Sequence, residues 1–127
     1  MHIHTLDLRF LGHRETIAAF LVEWEDHPPV LIETGPHTTF EQLGAALAQH
    51  GYKLSDIKHV FLTHIHFDHA GAAWALAEMG ATIYLHPLGV PHMMSPEKLV
   101  KSATRIYGDD MDRLWGNIRP IAEEQLM

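Results

Sequence analysis

Two short apolar runs, KHVFL at Lys58–Leu62 and ATIYL at Ala81–Leu85, bracket a segment that holds a dense set of histidines and then a helix-forming stretch. Each run has the length of a strand, which is too short for a buried helix. The stretch from Ala70 to Met79 ends at Gly80, a natural place for a left-handed helix cap. The predicted order is therefore strand, loop, helix, strand, which restricts the chain to layered folds of mixed α and β structure.

The same alternation extends outward. Thr16–Trp24 (TIAAFLVEW) and Val30–Thr34 (VLIET) are apolar and β-branched, and the turn-like EDHPP between them predicts a hairpin. His2–Leu8 alternates weakly and is read as a further strand. Thr38 with Glu41 forms a capping-box pattern, after which Phe40, Leu43 and Leu47 recur at helical spacing until Gly51. Ser95 and Pro96 predict the cap and first turn of a helix that carries Leu99, Ala103 and Ile106 to Gly108, with a short helical turn near Met111–Trp115. The fold class expected is α/β, layered in the α+β manner, as one domain over residues 1–127.

Charge and composition exclude several functions. The net charge is -7, and the 9 Lys and Arg residues never form a run, so binding to a phosphate backbone is disfavoured. There is no cysteine, hence no disulfide, thiolate metal site or cysteine nucleophile. The start, MHIHTLDLRF, lacks the pattern of a signal peptide, and no apolar run reaches the ~18 residues of a membrane span. A cytoplasmic protein acting on a small molecule, without nucleic acid or membrane, is the expectation.

What is unusual is 12 histidines in 127 residues, because imidazole is the commonest protein metal ligand. The densest cluster is His64-x-His66-x-Asp68-His69. In extended backbone His64 and His66 leave the chain on the same side, so one ion can receive both. Where the chain bends into the helix, Asp68 and His69 can reach a neighbouring position. Imidazole with carboxylate, and no thiolate, suits zinc first, then manganese or iron. A pair of such ions makes a hydroxide nucleophile and polarises the oxygen under attack, and a helix N-terminus beside them favours the developing negative charge.

THIHFDHAG at Thr63–Gly71 resembles the His-x-His-x-Asp-His motif of the metallo-β-lactamase fold superfamily, and LIETG at Leu31–Gly35 resembles its apolar-Asp-Thr-Gly strand end. The resemblance implies an αββα sandwich of which this chain supplies only the N-terminal β-sheet and helices, without the C-terminal half. It implies that His64 and His66 bind the first ion and Asp68 and His69 the second, with Asp68 orienting the attacking hydroxide. Gly71 would allow close packing at the helix entry. Glu33 stands where the family has Asp, in a position that supports the metal loop from behind. A further His, a bridging Asp and a last His normally come from the second half, and no matching motif follows His69.

Other histidines are candidates for the missing ligands. His86 and His92, in HPLGVPH after ATIYL, are read as surface or supporting residues, and His2 and His4 as sharing a strand face within possible reach of a metal. His13, His27, His37, His50 and His59 are read as surface or packing residues. Trp74 and Leu76 to Met79 are expected in the core. Tyr107, Trp115 and the Met93–Met94 pair are expected either to line a substrate channel or to form a face that another half covers.

Three functions follow. The first is a hydrolase similar to the hydroxyacylglutathione hydrolases and lactonases, cleaving an ester, thioester, lactone or similar bond at a dinuclear zinc site. The second is a catalytically incomplete metal-binding half-domain that oligomerises or pairs with a C-terminal segment. The third is an iron-dependent oxidoreductase on the same scaffold.

Overall fold

The computed structural model describes residues 1–127. Its centre is one mixed sheet in the order β1-β2-β3-β4-β5, formed by β1 His2–Asp7, β2 Ala18–Glu23, β3 Val30–Ile32, β4 His59–Phe61 and β5 Thr82–Tyr84. β1, β2 and β3 pair antiparallel, whereas β3, β4 and β5 run parallel. Each strand lies inside a predicted run. β3 stops at Ile32, two residues early, because Glu33 turns into the left-handed region with φ 66°.

Six short helices connect and flank the strands: α1 Phe40–Ala48, α2 Phe67–Ala70, α3 Ala73–Glu78, α4 Val90–Met94, α5 Glu97–Tyr107 and α6 Met111–Leu114. None is long and apolar enough to cross a membrane. The architecture is an α/β layer, one mixed sheet with its helices, rather than a complete αββα sandwich.

One face of the sheet is the core. Register places Leu21, Leu31, Val60 and Ile83 side by side across four strands, all with no exposed surface. Leu43 and Leu47 of α1 and Trp74 and Leu76 of α3 join the same cluster. Each such Leu contributes about 1.5–3 kcal/mol by leaving water. The opposite face carries Thr5, Phe20, Ile32, Phe61 and Tyr84 in register. It lacks an equivalent cover, for Phe61 is 42% exposed and Ile3 59%.

Four local expectations are corrected. The Thr38–Glu41 capping box does not form: the Thr38 hydroxyl donates instead to Leu114 O at 2.8 Å, and Thr39 occupies the cap position without a side-chain bond. The helix expected from Ala70 to Met79 is broken between α2 and α3. Ala72 N donates to Gly35 O at 2.9 Å, so a tertiary acceptor replaces its helical one. Met79 falls after the last turn of α3 and is exposed, unlike the buried Trp74, Leu76 and Ala77. α5 begins at Glu97 after Pro96, with no side-chain cap from Ser95. The Gly80 cap is as expected, with φ 98°.

At the far edge the C-terminal residues lie along β5. Leu126 bridges Ile83 in parallel, Met127 N donates to Ile83 O at 2.9 Å, and Leu85 N donates to Met127 O at 3.1 Å. Gln125 Nε2 donates to the carbonyls of Ala77 and Ala81, fastening the tail to the end of α3.

Candidate metal centre

Because β3 and β4 are parallel, their C-terminal ends emerge side by side, the usual position of a ligand site in such sheets. β3 delivers Glu33, Thr34 and Gly35, and β4 delivers Thr63 to His69. The two segments are sewn together by main-chain bonds. Thr34 N and Gly35 N both donate to His69 O, at 2.8 and 3.2 Å, and the Thr34 hydroxyl lies 3.0 Å from the same oxygen.

Gly71 makes this close approach possible. A Cβ there would meet Pro36 Cα at 2.9 Å and press still harder on the Phe67 carbonyl. The expectation from the motif, close packing where the loop enters the helix, therefore has a direct geometric cause.

All four motif side chains gather on this edge. The ring centroids of His64 and His69 are 4.1 Å apart, and those of His64 and His66 4.9 Å. His64 and His66 are exposed, whereas Asp68 and His69 are half-buried. His64 Nδ1 lies 2.8 Å from the Thr63 hydroxyl, which leaves Nε2 as the outward nitrogen.

Glu33 is buried beneath them and uses both oxygens. Oε1 accepts from Thr63 N at 2.8 Å, and Oε2 accepts from His69 Nδ1 at 3.1 Å. A carboxylate on Nδ1 fixes the tautomer and turns the Nε2 lone pair outward, the usual support for a metal-binding imidazole. His69 Nε2 then stands 3.2 Å from Asp68 Oδ2. Two ligand atoms each about 2.0 Å from a tetrahedral zinc lie roughly 3.3 Å apart, so this pair fits a common ion in spacing and in chemistry. No three His, Asp or Glu side chains converge as a ready-made cage for an ion.

Two cavities flank Asp68. One, of about 310 Å³, is bounded by Glu33, Thr63 and His69 and by the start of β2. The other, of about 400 Å³, lies toward α5 and includes His66, Tyr107 and Trp115 among its lining residues. Tyr107 and Trp115 thus lie on the wall of the second cavity. Met93 is instead a core residue, its carbonyl accepting from Ile121 N at 2.9 Å.

The remaining histidines are elsewhere. Register sets His2 opposite Glu23, at the end of the sheet away from the motif. His4 Nε2 bonds Glu23 Oε2 at 2.9 Å, and its ring stacks on His50 at 4.1 Å. His86 Nδ1 accepts from Leu88 N at 3.2 Å and caps a turn, and His92 sits on α4. Neither lines the cavities at the motif. His59 pairs with the Tyr84 hydroxyl at 3.1 Å on the open sheet face.

A family model for the metallo-β-lactamase superfamily matches residues 14–125, and the chain belongs to that superfamily. Among solved structures it is similar to the metallo-β-lactamase SMB-1 in complex with mercaptoacetic acid, at 21% identity and a TM-score of 0.67, covering 98% of this chain and 42% of that one. The native FEZ-1 metallo-β-lactamase from Legionella gormanii aligns at 18% identity and a TM-score of 0.66, over 94% of this chain and 41% of that one. A metallo-β-lactamase family protein from Thermus thermophilus aligns at 21% identity and a TM-score of 0.68, over 94% of this chain and 44% of that one. These likenesses establish the fold. The chain spans less than half the length of each structure. No curated protein matches it.

Proposed function

We propose that the protein is a metal-dependent hydrolase that cleaves an ester, thioester, lactone or similar bond, with His64 and His66 holding one ion and Asp68 and His69 a second. Zinc is the preferred ion, manganese and iron being the alternatives that the donor set accepts. The observation that carries this reading is the relay from Glu33 through His69 to Asp68, which orients an imidazole lone pair beside a carboxylate oxygen 3.2 Å away. When bound, the ions supply a water of lowered pKa and draw electron density from the bond under attack.

The chain's own residues do the rest. Glu33 keeps His69 in one tautomer and, through Thr63 N, fixes the start of the motif loop. Asp68, between the two cavities, accepts a hydrogen bond from the attacking water and aims it. Apolar side chains beyond Asp68, Tyr107 and Trp115 among them, form one wall of the space beside it.

Elemental analysis of the purified chain, with turnover measured on a panel of esters, thioesters and lactones, tests the proposal. Two zinc equivalents and turnover lost in Asp68→Ala are expected, while turnover unchanged in that variant overturns the assignment. Iron in place of zinc, with oxygen-dependent rather than hydrolytic turnover, would favour the oxidoreductase.

A second reading has its own support. No three ligands converge on this chain, and its sheet has an open apolar face. Both suit a half-domain whose ligand set is completed by a second copy or a C-terminal segment. Metal bound only in an oligomer, with an apo monomer, would favour it.

A further inference from the structure

The histidines of the motif are not held alike. His69 Nδ1 donates to the Glu33 carboxylate, whereas the partner of His64 Nδ1 is a hydroxyl, that of Thr63 at 2.8 Å. Adjacent side chains of an extended strand leave it on opposite faces, so this contact exists only because the chain bends at Thr63. The bend itself is anchored from below. Thr63 N donates to Glu33 Oε1 at 2.8 Å, and Glu33 is 4% exposed.

The chemistry of the pair has a direction. An imidazole that gives its Nε2 lone pair to an ion carries its hydrogen on Nδ1, and that hydrogen needs an acceptor. His64 is the one hydrogen-bond partner of Thr63 Oγ1, and a hydroxyl that turns freely has lone pairs to receive it. Both His64 and Thr63 are exposed, so packing does not hold the ring. Without the hydroxyl, the ring turns about its Cβ–Cγ bond and offers either nitrogen outward.

We infer that Thr63 is the positioning residue for the first ion: its hydroxyl accepts the Nδ1 hydrogen of His64 and so commits Nε2 to that ion. Glu33 then serves both ions, reaching His69 directly and His64 through the amide and hydroxyl of Thr63. The inference rests on His64 being an ion ligand, as in the proposed function, and not on the reaction that follows.

The test uses the full chain, ¹⁵N-labelled at histidine, with zinc alone as the probe. Long-range ¹H–¹⁵N correlations distinguish a ring bound through Nε2 from one bound through Nδ1, and His64→Gln assigns the relevant signals. Expected in the zinc-loaded wild type is His64 bound through Nε2, with a slowly exchanging hydrogen on Nδ1. Thr63→Val keeps the branched shape and removes the hydroxyl. It should lose that slow hydrogen and weaken the zinc on His64 by about tenfold or more in chelator competition, with the His69 signals unmoved. Thr63→Ser should restore both properties, and circular dichroism should show both variants folded. Thr63→Ala supplies the hydroxyl-free case if the valine variant does not fold. Wild-type zinc affinity and His64 signals in a folded hydroxyl-free variant overturn the inference. So does a serine variant as impaired as the valine one, or a wild type in which zinc sits on His64 Nδ1 or leaves His64 free. Nε2 ligation that depends on Thr63, in a protein without hydrolytic turnover, retains the positioning role and defeats only the hydrolase.

Discussion

Glu33 and His69, 36 residues apart in sequence, meet at 3.1 Å with His69 Nδ1–H donating to Glu33 Oε2. The other Glu33 oxygen accepts the Thr63 amide at 2.8 Å, so one buried carboxylate braces both ends of the motif loop. Glu33→Gln keeps an acceptor for Thr63 but presents an N–H₂ to His69 or loses the charge beside it. Zinc affinity should fall about 10–100-fold, read by competition with a chelator, while thermal stability changes little. Glu33→Ala also orphans the Thr63 amide and should cost an additional ~1–3 kcal/mol in denaturant unfolding.

Gly71→Ala tests the packing at the helix entry without altering any ligand. The added methyl meets backbone atoms of Pro36 and Phe67, which cannot rotate aside as a side chain would. A loss of about 1–3 kcal/mol in urea unfolding is expected. Wild-type stability in this variant would mean that Pro36 and the start of α2 move apart freely.

His37 gives stability a pH dependence of definite sign. Its ring lies against Trp74 at 4.7 Å and Phe40 at 5.5 Å. Burial first, and the Arg119 guanidinium second, hold its pKa below the ordinary 6.5. The unfolded chain therefore takes up this proton at higher pH than the folded one. The contribution is complete above 6.5 and declines as pH falls through that value toward the folded pKa. Between about pH 7.5 and about pH 5.5, the Tm of His37→Phe should drop less than that of wild type. Equal drops would assign the decline to other histidines.

Phe61→Glu addresses the open sheet face. Phe61 stacks on Tyr84 at 4.4 Å and is 42% exposed, between Ile32 and Tyr84 in the row that starts at Thr5. If a second copy covers this face, a charge at Phe61 should convert an oligomer to monomer in light scattering, with the fold retained. A monomeric wild type at the same concentration would leave the face to a different partner.

The gathering of the motif side chains was legible because its elements are local. His64, His66, Asp68 and His69 lie within one loop between an apolar run and a glycine, and each strand sits within a run of the right length. Glu33 was visible through LIETG, although its bond to His69 required the parallel pairing of β3 with β4. What escaped was decided at long range. Thr38 abandoned its capping box for Leu114 O, 76 residues away, and Ala72 left its helix for Gly35 O. The stripe on α5 had the period of a core helix, and no periodicity reveals that such a stripe faces a cavity.

The His69 carbonyl, held by the amides of Thr34 and Gly35, ties the candidate chemistry to the cooperativity of the whole molecule. Those two amides exchange with solvent only when β3 and the motif loop part, and that opening also separates Leu31 from Val60 in the core. Their exchange rates should therefore equal those of the slowest amides in the sheet. A protein built this way keeps its candidate metal edge intact up to the temperature at which it melts, and loses both together.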